Sequence, residues 1–169
     1  MTVDSFKFLP RLIATFYKMT ERELRLPIPW TPLEKPIQEA KFGLVTSGGL
    51  YLHSSQDSFD LARERTEPDW GDPSFRVIPE DIEQDDIAVS HLHLNTNDIE
   101  TDFNILLPIH RMNEFVQEGR VGDLAEHHYA FMGYQGFPPD TRAWENDYGP
   151  QVARAFLNEG VHCVLLTPA

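Results

Sequence analysis

Two histidines and two carboxylates lie close together near the middle of the sequence. His91 and His93 are separated by one residue, so their side chains would point to the same side of an extended segment, and Asp98 and Asp102 follow. Such a group could bind a substrate carboxylate or transfer protons. It could also bind a divalent cation, but His-x-His alone is a weak metal signature, and no metal site is predicted. A loop that is only shaped by hydrogen bonds would have the same pattern, so both interpretations stay open.

A second candidate is the turn-forming segment Thr46-Ser47-Gly48-Gly49, which follows a short apolar run. Backbone N–H groups in such a segment could bind an anion. The spacing is not that of a phosphate-binding loop or a dinucleotide-binding motif, and a tight turn without a ligand fits equally well.

Single polar side chains outside these segments also have two interpretations. Arg76 and Arg111 could each bind the carboxylate of a ligand through two hydrogen bonds. In a chain with 27 acidic residues, however, an arginine more commonly pairs with an Asp or Glu side chain of the protein itself. His128 could reach a reacting group from the start of an apolar segment, or it could cap or border the core. No Ser/His/Asp triad can be assembled.

The elements that must position these residues alternate between strands and helices. Apolar runs predict strands or buried segments at 42–45, 87–89, 103–107, 128–132 and 161–166. One helix is predicted from Ile109 to Val116 with Gly119 after its end, and another within 141–159, kinked at Pro150 or beginning near it. The order predicts an α/β fold: an open, mainly parallel sheet with flanking helices, similar to Rossmann-type folds.

In open parallel sheets, ligands bind at the carboxyl ends of the strands. This rule places four parts of the chain at one rim of the predicted sheet: the Thr46–Gly49 turn, the segment from His91 to Asp98, Gly133, and residues 167–169. The long polar segment 50–73 shows no period, and loops of that length are usually functional or disordered.

The N-terminal region differs in character from the rest. Residues 4–24 predict a helix with apolar side chains at helical spacing, and the proline-rich segment 26–36 predicts an extended arm. The expected domains are therefore residues 1–40, a helix and arm that could dock on another surface or subunit, and residues 41–169, the α/β domain.

Composition excludes several classes of partner. A net charge of −13 over 169 residues argues against binding to nucleic acid or to an anionic membrane. No apolar run approaches the roughly 20 residues that span a bilayer, and no signal peptide is recognisable. The single cysteine, Cys163, excludes an internal disulfide bond, and its place within a strand suggests a buried, inert thiol. We expect a cytoplasmic protein.

The last strand raises a question about the domain. Val164-Leu165-Leu166 is as apolar as any segment of the chain, so we expect a central strand followed by a covering helix, and no such helix is encoded before Ala169. A natural edge strand is the alternative. If the domain is incomplete, apolar surface is exposed, and the chain is marginally stable or associates.

Eight short blocks of the sequence, from about residue 41 to the end, are informative together. They are residues 44–49 (LVTSGG), 56–60 (QDSFD), 71–79 (GDPSFRVIP), His91-x-His93, Asp98 with Asp102-x-Asn104, Pro108-Ile109-x-Arg111, 128–133 (HYAFMG) and 160–168 (GVHCVLLTP). They resemble the selenoprotein B family of the glycine, sarcosine, betaine and D-proline reductases, although Ser58 stands where proline is usual and Ala130 where glycine is. Any one block would be weak evidence, but their number, order and spacing match the family.

The resemblance implies a reductase subunit. In the family a selenocysteine or cysteine follows the last block at once, usually with a second cysteine and then a helix, and this nucleophile reductively cleaves a C–N bond α to a carboxylate. It would therefore follow Ala169, and the 169 residues alone would be inactive. Selenocysteine is encoded by UGA, which is commonly read as stop. The resemblance implies a pyruvoyl group on a partner subunit and no cofactor in this chain.

The same resemblance implies other reductase-complex subunits as partners, a thiol reductant, a small amine or amino-acid substrate, and an oligomeric assembly. The sequence pattern and the family resemblance together predict that His91, His93 and His128 support catalysis. They give a substrate-binding set of Thr46, Ser47, Gly48, Gly49, Asp98, Asp102, Asn104, Arg111, Gly133 and Thr167. Two alternatives remain: an inactive short paralogue that binds a partner or a carboxylate, and an α/β racemase or lyase that uses its histidines.

Overall fold

The computed structural model describes residues 10–12, 15 and 31–169. The chain divides into two compact units, Met1–Pro32 and Leu33–Ala169. In the first, Arg11, Leu12 and Thr15 are helical, and the Thr15 hydroxyl donates a hydrogen bond to the carbonyl oxygen of Arg11 (2.8 Å). The rest of the predicted helix 4–24 and residues 26–30 of the predicted arm lie outside the described residues. A domain boundary at residue 40 stays a prediction.

The second unit contains seven strands, three α-helices and one π-helix among its described residues. In chain order they are β1 (Lys41–Thr46), β2 (Leu50–Leu52), α1 (Leu61–Thr66), β3 (Phe75–Pro79), β4 (Ile87–Val89), α2 (Ile109–Gln117), β5 (Asp123–Leu124), β6 (His127–Phe131), the π-helix (Trp144–Tyr148), α3 (Gly149–Asn158) and β7 (Cys163–Thr167). Short 3₁₀ turns lie at Ile37–Glu39, Gln84–Asp86 and Phe103–Ile105.

The main sheet is built around β1. Strands β5 and β6 pair with one side of β1, at its beginning and at its end respectively, and β7 pairs with the other side; all three are parallel to β1. Strand β3 pairs antiparallel with β6, and β2 and β4 form a separate antiparallel pair. The predicted α/β fold with a mainly parallel sheet is confirmed.

Each face of the main sheet has its own core, as the alternation of side chains along a strand requires. Leu44 of β1 and Ala130 of β6 face one core, which also contains Phe103, Leu107 and Ile109. The neighbouring residues Val45 and Tyr129 face the other core, in which Val152 and Phe156 of α3 cover the sheet. Helices α2 and α3 therefore lie against opposite faces.

Several predicted elements are confirmed. Helix α2 ends before Gly119, and α3 has Pro150 in its first turn, where a missing N–H group costs little. The run 103–107, predicted as a strand or a buried segment, is the second of these. Phe103, Leu106 and Leu107 are buried, and residues 103–105 form a 3₁₀ turn, because a buried apolar run does not distinguish a strand from a tight turn.

The last strand is placed differently from the prediction. In the part of the chain that the structure describes, β7 pairs only with β1, so it is an edge strand and not a central one. Val164, Leu165 and Leu166 are 40%, 38% and 67% exposed, which is the apolar exposure expected of an uncovered strand. Cys163 begins this strand and is only partly buried, so the prediction of a buried thiol is wrong.

None of the described helices has both the length and the apolar character that a membrane crossing requires.

Candidate functional site

The carboxyl ends of β1, β6 and β7 meet at one rim of the main sheet. Thr46, at the end of β1, is buried, and its hydroxyl donates to the carbonyl oxygen of Thr167 at the end of β7 (3.1 Å). The Thr167 hydroxyl lies 2.6 Å from the carbonyl oxygen of Leu106, to which it donates. These bonds fix the ends of β1 and β7 and the loop before α2 relative to each other.

Ala169 lies at this rim, next to Ser47 and Gly133. The Ala169 N–H donates to the Ser47 hydroxyl oxygen (2.9 Å). A Cβ atom on Gly133 would lie only 3.1 Å from the carbonyl oxygens of both Ala169 and Ser47. The small residue at position 133 therefore lets β7 approach the end of β1 closely.

The Thr46–Gly49 turn donates its N–H groups within the protein. Ser47 N–H donates to the Thr167 carbonyl oxygen (3.3 Å), Gly48 N–H to the Thr46 hydroxyl oxygen (3.1 Å), and Gly49 N–H to the Phe131 carbonyl oxygen (2.9 Å). None of the three amides is left for an anion. The geometry favours the interpretation as a tight turn, and any role of this segment in substrate binding falls to the Ser47 side chain.

His91 and His93 lie in a loop after β4 and not in an extended strand. His91 is 8% exposed; its Nδ1 accepts the N–H of His93 (3.1 Å), so its Nε2 carries the proton, and that buried atom has no partner among the described residues. The His93 side chain is 53% exposed. The two rings lie 5.9 Å apart, but one belongs to the interior and the other to the surface.

His93 contacts a buried carboxylate that the sequence does not reveal. Its Nε2 lies 3.2 Å from Oε1 of Glu64, whose side chain is only 2% exposed. This oxygen meets no donor with hydrogen-bond geometry in the described part of the chain, so the contact with His93 is close but poorly aligned. The Tyr134 ring packs on His93, with centroids 4.8 Å apart. Because Tyr134 follows Gly133, the histidine loop lies beside the rim.

Burial governs the protonation of this cluster. Burial raises the pKa of Glu64, and His93 opposes that rise. Burial lowers the pKa of His91, as does the nearby His93. Burial therefore favours the neutral forms of both Glu64 and His91. The described residues contain no group of three or more His, Cys, Asp and Glu side chains that could hold a metal ion.

The other polar residues of the predicted set support the loop that leads to α2. Asp102 Oδ1 accepts from the backbone N–H (3.0 Å) and the side-chain amide (2.8 Å) of Asn104, and Asn104 Oδ1 accepts from the His110 N–H (2.9 Å) at the start of α2. Asp98 is exposed in the turn before them. Arg111 is half exposed and pairs with Glu114 (2.5 Å). Through the described residues, no hydrogen bond or ion pair joins this set to the rim.

A measurement of stability tests whether Asn104 supports the loop that leads to α2. Asn104→Ala should lower the free energy of unfolding by about 1–2 kcal/mol, because the His110 N–H in the first turn of α2 loses its acceptor and Asp102 loses one of its two hydrogen bonds to residue 104. Arg111→Ala should change it by less than about 0.5 kcal/mol, since its ion pairs are exposed. Urea unfolding of both variants is the measurement. Equal losses would show that the Asn104 bonds contribute nothing specific.

His128 lies in the core and does not reach the rim. It is fully buried in β6, and its Nδ1 accepts the N–H of Leu44 (3.2 Å). Leu44 lies between the residues of β1 that pair with β5 and those that pair with β6, so its N–H faces no strand carbonyl on that side. Burial lowers the pKa of His128 to about 4. A neutral ring acting as a substitute acceptor for the sheet is a structural role, so His128 is not available to a nucleophile at the rim.

An apolar pocket opens at the rim on the α3 face. Its volume is about 300 Å³, and its lining includes Phe131, Trp144, Leu166 and Pro168. Trp144 lies in the π-helix and donates its indole N–H to the Pro73 carbonyl oxygen (3.1 Å). The sequence pattern assigned Trp144 to a helix face, and it gives no signal that this residue lines a pocket.

Comparisons with known proteins match this chain to one family. The model of the family described as glycine/sarcosine/betaine reductase selenoprotein B matches residues 12–169. D-proline reductase subunit gamma of Acetoanaerobium sticklandii is 35% identical over 157 residues, which cover 90% of this chain and 60% of that protein. No solved structure matches.

Two further relatives are more distant. Glycine reductase complex component B subunit gamma of Carboxydothermus hydrogenoformans is 26% identical, with 86% of this chain and 32% of that protein covered. Sarcosine reductase complex component B subunit beta of Peptoclostridium acidaminophilum is 22% identical, with coverage of 87% and 33%. The chain thus spans between a third and about three fifths of the curated relatives that it matches.

Proposed function

Because the chain belongs to the glycine/sarcosine/betaine reductase selenoprotein B family, we propose that it is the N-terminal part of a reductase subunit that cleaves a C–N bond α to a carboxylate. The family match over residues 12–169 is the observation that carries this proposal. Glycine, sarcosine, betaine, D-proline or a related amine is the substrate. The other subunits of the reductase complex are its partners, and the cytoplasm is its location.

The proposed nucleophile is a selenocysteine or cysteine that follows Ala169. One observation supports this position: Ala169 lies at the rim against Ser47 and Gly133. A nucleophile at the end of β7 would be flanked by three parallel strand ends. If a helix begins there, its N–H groups would stabilise the selenolate or thiolate.

The reaction is a two-electron reduction. The nucleophile attacks the α-carbon and forms a Se–C or S–C bond while the C–N bond breaks, and the nitrogen keeps the bonding electron pair and takes a proton. A dithiol then attacks the selenium or sulfur, the carbon leaves with the electron pair of that bond and takes a proton, and closure of the disulfide frees the nucleophile. A pyruvoyl group on a partner subunit would hold the substrate amine. We assign the exposed His93 to proton transfer, with Glu64 in contact with its ring and Ser47 facing the substrate.

The first test is the coding sequence after the Ala169 codon. We expect an in-frame UGA or cysteine codon, a second cysteine codon within a few positions, and a segment that encodes an amphipathic helix. An immediate UAA or UAG would contradict the proposal for this chain.

The second test is an assay with the partner subunits and a dithiol. The 169-residue chain should release no amine from glycine, sarcosine or betaine and should not open the ring of D-proline, whereas the extended chain should cleave the C–N bond of its substrate. Replacing its nucleophile by serine should abolish the cleavage. C–N cleavage, or inversion of the α-carbon of D-proline, by the 169 residues alone would instead support a lyase- or racemase-type enzyme that uses His91 and His93.

A non-catalytic binding module is the second candidate. The exposed edge of β7, with its apolar side chains, is the observation that favours it. Co-purification with the partner subunits without any contribution to amine release, in a chain whose gene ends at Ala169, would support this candidate.

A further inference from the structure

The apolar pocket lies where ligands of open parallel sheets bind, at the carboxyl ends of β1, β6 and β7. Its volume of about 300 Å³ is at the lower end of small-molecule sites. Thr167 and Pro168, on the same stretch of chain as Ala169, form part of its wall. A substrate that reacted beside Ala169 would therefore have this pocket next to it.

The chemistry of the lining explains what the pocket can hold. Thr46 and Thr167 contribute to the wall, but both hydroxyls donate to backbone carbonyls and only their apolar parts are left for a ligand. Val45, Phe131 and Leu166 add further apolar surface, and no charged side chain lines the pocket. A carboxylate or an ammonium group would lose its hydration there without gaining a partner.

The wall is held in place before any ligand binds. Trp144 is fixed by its hydrogen bond to Pro73 and by an edge-to-face contact with Phe131, at 5.6 Å between ring centroids. It lies in a π-helix, a rare element that occurs frequently at functional sites. A fixed aromatic wall loses little entropy on binding, which favours a rigid apolar group as ligand.

We propose that this pocket holds a ring or alkyl group of the substrate, so that the chain acts on an α-amino acid or amine carrying such a group and not on glycine. The inference rests on the proposed reductase function and narrows its substrate class. The charged amine and carboxylate stay at the mouth, near Ser47, and the apolar group enters between Trp144 and Leu166.

Binding to the chain tests the inference without any need for catalysis. Glycine and D-proline, which share the α-amino-acid group and differ in the ring, are titrated separately, and the indole N–H signal of Trp144 is followed by NMR. D-proline should bind at least about tenfold more tightly, because its ring methylene groups leave water. Equal affinity for the two probes, or no binding of either, would overturn the inference.

A matched pair of variants locates the binding. Leu166 lines the pocket and is 67% exposed, whereas Leu157 of α3 is 72% exposed and does not line it, so a polar residue should be tolerated at both positions. Leu166→Gln should weaken D-proline binding about fivefold or more, and Leu157→Gln should leave it unchanged. The same affinity in both variants would place the ring elsewhere and overturn the inference.

The result is separable from the reductase proposal. Preference for glycine would contradict the proposed substrate class but not the reductase proposal. The same holds if another polypeptide segment fills the pocket and no amino acid binds there. The reductase assignment is tested by the codons after Ala169 and by C–N cleavage of any of the named substrates in the complex, and neither requires that this pocket binds a ring.

Discussion

Gly49→Ala is expected to lower the free energy of unfolding by at least about 3 kcal/mol. Gly49 has φ = +69°, a conformation that costs a residue with a Cβ atom about 1–2 kcal/mol. In addition, the new Cβ would lie 2.3 Å from the carbonyl oxygen of Ser90. Backbone cannot move aside as a flexible side chain can, and the Ser90 N–H is itself bonded to the Gly49 carbonyl oxygen (2.9 Å). The β2–β4 pair would have to shift.

Gly119→Ala is the matched control for this prediction. Gly119 also has φ = +69°, but a Cβ there would have nothing within 4 Å. It should lose only the conformational cost of about 1–2 kcal/mol. Urea unfolding measures both variants against the parent chain. A loss at position 49 no larger than that at position 119 would show that the close approach to Ser90 is relieved at no cost.

Acidification is expected to remove about 3 kcal/mol of stability through His128 alone. Burial lowers the pKa of this group to about 4 in the folded chain, from an ordinary value of 6.5. Below pH 6.5 the unfolded chain binds a proton that the folded chain does not, so stability falls as the pH falls, by about 1.4 kcal/mol per unit. The contribution is complete above pH 6.5 and lost by about pH 4.

His128→Asn isolates this contribution. The Asn oxygen can accept the Leu44 N–H as Nδ1 does, but it does not titrate, so the variant should lose less stability between pH 6.5 and 4 than the parent chain. Glu159 and His127 act on His128, and the pKa values of His91, Glu64 and Glu80 are also shifted, but those groups are common to both chains. Denaturation curves at several pH values make the comparison; parallel pH profiles would contradict it.

The sequence alone predicted helix starts and ends correctly where a proline or a glycine determines the backbone conformation. Pro150 lies in the first turn of α3, where proline is tolerated, and Gly119 follows α2 because it can adopt a positive φ. The apolar runs at 42–45 and 128–132 correctly predicted β1 and β6, whose side chains are buried or partly buried. The order of strands and helices then leads to the α/β fold.

The candidate site depended on contacts between distant segments, which a sequence pattern does not contain. Glu64 looks like any acidic residue of a polar segment, and only the fold buries it beside His93. Trp144 fits a helix face, and only the packing of the π-helix on the sheet makes it a pocket wall. The rim was predicted because it follows from strand direction alone.

A residue that lies in a family-like block need not bind substrate or take part in catalysis. Arg76, within the GDPSFRVIP block, could have bound a carboxylate. In the structure its guanidinium donates to the carbonyl oxygens of Asp57 (2.7 Å) and Ser58 (3.2 Å) and to the Ser74 hydroxyl, and it lies over the Phe59 ring. This arginine joins two loops, so the block describes how the fold is held together.

The pairing of β1 with β7 also bears on the order of folding. Thr46 and Thr167 are bonded across 121 residues, and the two cores lie on either side of strands that come from opposite ends of this unit. Contacts so far apart in sequence form slowly, because the intervening chain must lose its freedom before they stabilise anything. On a ribosome, β1 would emerge early and stay without its β7 neighbour until the last strand had been synthesised. During that interval its apolar face and open edges would depend on chaperones for protection.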